Sequence, residues 1–275
     1  MPNVTVGEPD SALVAAAGPS LLDTHVDRDH QRTVLTLAGP AALDATTAVR
    51  EVARLVANMQ SFGDYAGVHP CLGVIDVVPF VALPGTDPSA AANAARDFGQ
   101  WAAEELGVPV FLYGDADTEA RSLPATRRDA FAARPPDHGP PVPHPTLGAT
   151  AVGARPPLVA VNCWLGAERD AAGRVARAVR ERDGGLAGVR ALGLWLASAG
   201  QAQVSMNVTA LERTGVEPAC EAVRAAAHRE GTEVTGVELV GLVPQREYDR
   251  WSEEFRRWSG IGPDCTIEAR MASRP

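Results

Sequence analysis

A chain of 275 residues and 28.8 kDa has room for one large domain or two small ones, and its 45% apolar content is enough to fill a core. The net charge is −9 and all 25 basic side chains are arginine. This excludes nonspecific nucleic-acid binding, which needs clustered cations, and Schiff-base chemistry on lysine. The four cysteines, Cys71, Cys163, Cys220 and Cys265, form no C-x-x-C pair, which argues against zinc knuckles and thioredoxin-like motifs. With no basic-then-apolar leader and no apolar run long enough to span a bilayer, the chain reads as a soluble cytoplasmic protein with reduced thiols.

MPNVTVG (1–7) alternates like a short strand. DSALVAAAG (10–18) follows as a helix with Asp10 or Ser11 as N-cap and Gly18 as its stop. LLDTHV (21–26) and RTVLTLAG (32–39) flank a polar turn and predict a hairpin. Residues 40–59 have helical spacing, with Leu43, Val49, Val52, Leu55, Val56 and Met59 on one face. VIDVVPFVAL (74–83) is a buried strand, so this half reads β-α-β-β-α-β. A helix over 88–107 and a strand over 108–114 come next, then RPPDHGPPVPHPTLGAT (134–150). That stretch is either a flexible tether or, given its histidines and the GATAVGAR that follows, an ordered wall.

The second half repeats the order. Strand 155–165 and helix 168–184 precede a hairpin of strands 189–198 and 201–209; helix 216–231 and strand 232–243 complete it. The expected fold class is therefore α/β (α+β): two related β-α-β-β-α-β-like subdomains with mostly antiparallel mixed sheets. The boundary falls between 1–154, which includes the Pro-rich segment, and 155–275. Residues 245–258 read as one amphipathic helix, and those after Trp258 carry no signal and are expected to fray.

Three kinds of chemistry compete. HVDRDH (25–30) offers His25, Asp27, Asp29 and His30 to a metal, and predicts a metal-dependent hydrolase; its other reading is a polar hairpin turn. Cys71 or Ser205 could serve as a nucleophile, but Cys71 lies two residues from His69, too close in sequence to face it, and no G-x-S-x-G elbow exists. His69, between Gly67 and Pro70 at the mouth of an apolar strand, suits general acid–base work, because an unperturbed imidazole titrates near about 6.5. The alternative is a loop histidine without a role.

The stretches LLDTHVDRDHQRTVLTLAG, GVHPCLGVIDVVPF, GATAVGAR, QVSMNVT and GVELVGLVP, in this order, resemble the formiminotransferase family over nearly the whole chain. The resemblance implies two α/β subdomains with folate bound in the groove between them, usually as a homodimer. It implies transfer of a formimidoyl or formyl group between 5-formimidoyl- or 5-formyltetrahydrofolate and an amine acceptor, by default L-glutamate, with no metal. It makes His69 the catalytic acid–base. It makes Gly139, Pro140, Pro141, Val142, Pro143, His144, Pro145, Thr146, Leu147 and Gly148 the folate-binding stretch. Asn3, His25, Arg32, Asp76, Arg155, Gln203, Ser205 and Asn207 match other motif positions and are expected to line the site, with Arg32 and Arg155 as partners for carboxylates.

The chain departs from the family pattern at Val68, where the family has Glu, and at Cys71, where it has Arg. Val4, Thr5 and Val6 replace Phe-Ser-Glu, and Gln31 replaces Asn. With fewer charges near His69, its pKa should be lower and the acceptor could be a different amine. A noncatalytic folate-binding protein is the reading from another class.

Overall fold

The computed structural model describes every residue except 1, 7–10, 40–41, 68–70, 84, 167–168 and 275; the side chains of 42–44 and 64 also lie outside the described set. The chain forms two compact units, Met1–Pro156 and Pro157–Pro275.

The first unit is built on a six-stranded sheet. Its strands are β1 (Asn3–Val4), β2 (Leu21–Asp27), β3 (Arg32–Leu37), β4 (Ile75–Phe80), β5 (Val110–Gly114) and β6 (Thr150–Ala154), in the order β2-β3-β1-β4-β6-β5. The β2–β3, β3–β1 and β1–β4 pairs are antiparallel; β4–β6 and β6–β5 are parallel. Helices α1 (Ser11–Ala17), α2 (Ala42–Met59) and α3 (Pro88–Leu106) cover one face. Asp87 caps α3 by accepting from the Ser89 N–H, Pro88 needs no hydrogen bond at its first position, and Gly107 ends the helix at φ 67°. This leaves Phe98, Ala95 and Ala102 facing Val110, Leu112, Val152 and Ala154. A fourth helix, α4 (Leu123–Asp129), sets Leu123 against Val77, Tyr113 and Ala151 on the opposite face.

The second unit has a four-stranded antiparallel sheet of β7 (Val159–Leu165), β8 (Val189–Leu196), β9 (Gln201–Val208) and β10 (Val234–Val240), ordered β10-β7-β9-β8. Its helices α5 (Arg169–Val179) and α6 (Val216–Arg229) pack on the face of Val161, Cys163, Val204 and Met206. In both units the first strand lies between the third and fourth, with the second beyond the third. The expected two-subdomain α+β fold is present, with three antiparallel and two parallel pairings in the larger sheet.

Several sequence expectations need correction. Residues 245–258 are not one helix: α7 (Gln245–Tyr248) and α8 (Glu253–Ser259) are separate. Ser252 caps α8 through the Phe255 N–H, while its own N–H and hydroxyl are held by Glu217 at 2.8 and 2.6 Å. Residues after Trp258 do not fray: α9 (Ile267–Ala272) is capped by Thr266, which also donates to Gln245 Oε1 at 2.8 Å. The 168–184 helix stops at Val179 and gives way to a 3-10 turn over Glu181–Asp183. Met59, assigned to a buried face, is 40% exposed at the last turn of α2. Strand β6, paired on both sides in its sheet, and helix α4 carried no recognised sequence signal. The N-cap expectation at Asp10 and the Leu43 side chain fall outside the described residues.

Candidate active site

Pairing alternates across the larger sheet so that Asn3, His25, Arg32 and Val34 share the face opposite α1–α3, with His25 and Asn3 each directly across from Val34. Asp76 joins them through a bulge. Asn3 pairs with Val77 but Val4 pairs with Ile75, which leaves Asp76 as the extra residue of β4. A bulge re-aims a side chain without breaking the strand, and here Ile75 and Val78 stay in the helix-covered core.

Asp76 is 2% exposed. Its Oδ1 accepts the Leu72 N–H at 3.0 Å, and its Oδ2 is ion-paired with Arg127 of α4 and lies 3.9 Å from Arg32. Arg32 donates from Nε and NH2 to Asn3 Oδ1, at 3.1 and 2.7 Å. Burial pushes the Arg32 guanidinium down from its ordinary value, and Asp76 opposes that push.

Tyr65 donates to the His30 carbonyl at 3.2 Å, and burial together with Cys71 raises its pKa. Burial, then the Asp76 carboxylate, push the Cys71 thiol up to about 11. Cys71 is therefore protonated at neutral pH, which removes the thiolate a nucleophilic role needs. Ser205, the other nucleophile considered, belongs to the second unit.

In HVDRDH, His30 Nδ1 pairs with Asp27 Oδ2 at 2.5 Å and the His30 N–H donates to Asp27 Oδ1 at 2.9 Å. Burial raises the Asp27 pKa, but the His30 contacts outweigh it and the net shift is downward. The Gln31 amide oxygen accepts the Ala66 N–H at 2.5 Å, so the hairpin tip is docked on the loop that leads to residue 68. The stretch thus behaves as a hairpin turn with internal polar bonds.

The Pro-rich segment is tied down at both ends. At its start, Val110 donates to the His138 carbonyl at 2.9 Å, and the Asp137 carboxylate accepts from Leu112 N–H and Arg134, each at 2.7 Å. At its end, His144 and Gly148 exchange both backbone hydrogen bonds, and His144 Nδ1 accepts the Leu147 N–H at 3.1 Å. The Val74 N–H then donates to Leu147 O at 3.0 Å, and the Ala149 N–H to Leu72 O at 2.9 Å. Gly148, at φ 71°, brings its backbone so close that a Cβ would sit 2.5 Å from Leu72 O. Residues 139–143 between these anchors are exposed.

Arg155 follows β6, and Tyr113 on β5 lays its ring flat over Gly153, where a Cβ would meet the ring at 2.6 Å. In the second unit, Ser205, Asn162 and Glu238 stand directly opposite one another across β9, β7 and β10. Asn162 donates to Glu238 at 2.9 Å and Gln203 to the same oxygen at 3.5 Å; Asn207 is exposed on the same strand face. His69, with Val68 and Pro70, lies outside the described residues. The structure therefore brings Asn3, Arg32 and Asp76 together in one unit and aligns Gln203, Ser205 and Asn207 in the other. Arg127, Tyr65 and Tyr113 escaped the sequence reading because their partners are distant in the chain. Asn162 and Glu238 left a usable sign, since each is a polar residue interrupting an apolar strand.

The larger of two α+β units thus carries an arginine–carboxylate cluster of Arg32, Asp76 and Arg127 on the sheet face opposite α1–α3. A formiminotransferase-domain N-terminal-subdomain model matches residues 6–155, and a formiminotransferase-domain model matches 160–253. A glutamate formimidoyltransferase of Streptococcus pyogenes serotype M1 is 34% identical over 265 residues, covering 90% of this chain and 88% of that protein. A glutamate formimidoyltransferase of Thermoplasma acidophilum is 32% identical, over 94% and 90%. A formimidoyltransferase-cyclodeaminase of Sus scrofa is 36% identical over 85% of this chain, which spans 46% of that protein. The chain belongs to the formiminotransferase family and is a transferase.

Proposed function

We propose that this protein transfers a formimidoyl, or formyl, group between a 5-substituted tetrahydrofolate and an amine acceptor, L-glutamate by default, with His69 as general acid–base. The observation that carries the reading is the anchoring of residues 71–76. The Asp76 carboxylate grips the Leu72 N–H, and Leu147 and Ala149 at the end of the Pro-rich segment are hydrogen-bonded to Val74 and Leu72. A rigid frame thus begins two residues after the imidazole, on the strand face that carries Asn3 and Arg32.

The acceptor amine attacks the one-carbon centre and forms a new C–N bond. His69 takes the proton the amine sheds and returns one to the folate nitrogen as the C–N5 bond breaks. A well-placed acid–base of this kind contributes about 10²–10⁴ in rate, and holding both substrates together contributes the rest. With Cys71 protonated, the route needs no thiolate intermediate. Segment Gly139–Gly148 would bear on the folate, while Asn3, His25, Arg32, Asp76, Arg155, Gln203, Ser205 and Asn207 would position the substrates. The relatives named glutamate formimidoyltransferase support the default acceptor.

The test is His69→Ala, assayed for transfer from 5-formimidoyl- and 5-formyltetrahydrofolate to a panel of amines, with folate binding followed by calorimetry. Folate affinity should persist and transfer should fall by about 10²–10⁴. Transfer within tenfold of wild type would remove His69 from the chemistry, and a wild-type protein that binds folate but modifies no amine would remove the reaction.

A further inference from the structure

The turn between β2 and β3 is held in a strained form. His30 is buried and fixed twice by Asp27, ring to carboxylate at 2.5 Å and N–H to carboxylate at 2.9 Å. Gln31 follows at φ 43°, a left-handed conformation that is costly for a residue with a Cβ. In this form the turn presents two acceptors to residues 65 and 66. The Gln31 amide oxygen takes the Ala66 N–H at 2.5 Å, and the His30 carbonyl takes the Tyr65 hydroxyl at 3.2 Å. Gly67 closes on the same carbonyl: a Cβ there would lie 2.3 Å from His30 O and 2.5 Å from the Tyr65 hydroxyl oxygen.

Tyr65 also reaches the chain on the far side of residue 69. Its hydroxyl is hydrogen-bonded to the Cys71 side chain, and the next residue, Leu72, is held through its N–H by Asp76 at 3.0 Å. The Tyr65 ring stacks on Phe62 with centroids 6.0 Å apart, and the Phe62 N–H donates to Thr146 O at 2.6 Å. One phenol therefore joins the β2–β3 turn to the chain that enters residue 68 and to the chain that leaves residue 70. Residue 69 is two positions from Gly67 on one side and two from Cys71 on the other.

We infer that Tyr65 and Gln31 are positioning residues for His69: Tyr65 clasps together the residues on either side of it, and Gln31 anchors the entering chain on the hairpin turn. This inference rests on the proposed function, which gives His69 the proton transfer. A general acid–base works only within hydrogen-bond reach of the proton it moves, and a misplacement of about 1 Å costs up to about 10² in rate. Neither side chain has to touch a substrate for this effect, so its loss falls on the chemical step and not on binding.

The experiment uses the full chain with Tyr65→Phe, which removes the hydroxyl and keeps the ring on Phe62, and Gln31→Met, which keeps the length and removes the acceptor. Circular dichroism checks that each variant folds. Each is made alone and combined with His69→Ala, and transfer from 5-formimidoyltetrahydrofolate to glutamate is followed. Alone, each should lower kcat about tenfold to a hundredfold and leave both KM values and the calorimetric folate affinity within twofold. Added to His69→Ala, each should cost less than a further twofold, since the group it places is already gone. The same loss in both backgrounds overturns the positioning role, as does a raised KM with kcat unchanged, or no loss at all; in these cases an inactive His69→Ala protein leaves the proposed function standing. Transfer by His69→Ala within tenfold of wild type, or a wild type that transfers to no amine, sinks the proposed function and this inference together.

Discussion

Asp76→Ala is the sharpest probe of the arrangement. The side chain is 3% exposed and serves three donors: the Leu72 N–H at 3.0 Å, Arg127 by direct ion pair, and Arg32 at 3.9 Å. Removing one partner of a buried ion pair costs about 3–5 kcal/mol, because the other charge stays buried alone. Arg32 and Arg127 keep some contact with water, so the low end, about 3 kcal/mol, is the expected loss, the unmet Leu72 N–H included. Asp76→Asn keeps an oxygen for Leu72 and loses only the charge, so it should cost about half as much. Hydrogen exchange at the Val77 and Val78 amides of β4 reads this unit's own unfolding free energy, independently of the other unit. The Leu72 amide should lose protection first. Adding Arg127→Met should recover about 2 kcal/mol, since it removes the charge left stranded. An Asp76→Ala protein within about 1 kcal/mol of wild type, or additive costs in the double variant, would refute the claim that this carboxylate organises the face.

The remaining expectations concern the same frame and its surroundings. Because the Cys71 pKa is raised from 9.0 to about 11, alkylation of Cys71, followed by mass spectrometry, should be slow at pH 8 and accelerate only toward pH 11. The linked stability is fully present below the unfolded value of 9.0 and declines as pH rises through about 11, since the folded state holds its proton longer. Rapid labelling of Cys71 at pH 7.5 would contradict the burial argument. Gly73→Ala places a Cβ 2.2 Å from Leu147 O and 2.4 Å from Ala149 O, rigid backbone atoms. It should cost about 3 kcal/mol or more in chemical denaturation. Gly173→Ala, inside α5 with its nearest neighbour the Arg177 guanidinium at 3.8 Å, should instead stabilise by about 0.5–1 kcal/mol. If the two substitutions behave alike, the close approach at Gly73 is not what the structure indicates.

What the sequence displayed and what it hid divide by range along the chain. The hairpin of β2 and β3, the face of α2 and both halves of the second unit rest on periodicity within a dozen residues, and these were legible. Strand β6 was not, because Thr-Ala-Val-Gly-Ala has neither alternation nor bulk; its place between β4 and β5 is set by parallel pairing with residues 74 and 40 positions away. The break at 249–252 was hidden for a related reason. Local helical periodicity continues through it, but Glu217, 35 residues upstream, takes Ser252 as a ligand and makes it a cap. Asp76 stood out in the sequence as an acid in an apolar run, whereas Arg127 gave no sign, since only the fold brings it across 51 residues.

The departures from the family pattern bear on this division. Val68 and Cys71 remove two ionisable charges beside His69, and the structure shows that Cys71 does not restore one, its thiol being held neutral by burial and by Asp76. The charges of this face are therefore contributed at long range, by Arg32 from the neighbouring hairpin and Arg127 from α4, both fixed on one aspartate. Charge on this face therefore survives the departures near residue 69, because Arg32 and Arg127 are held by a carboxylate that the departures leave in place. On the proposed function, substitutions at Val68 and Cys71 should therefore change the range of amines accepted, measured as transfer across an amine panel, while the Asp76 cluster stays in place.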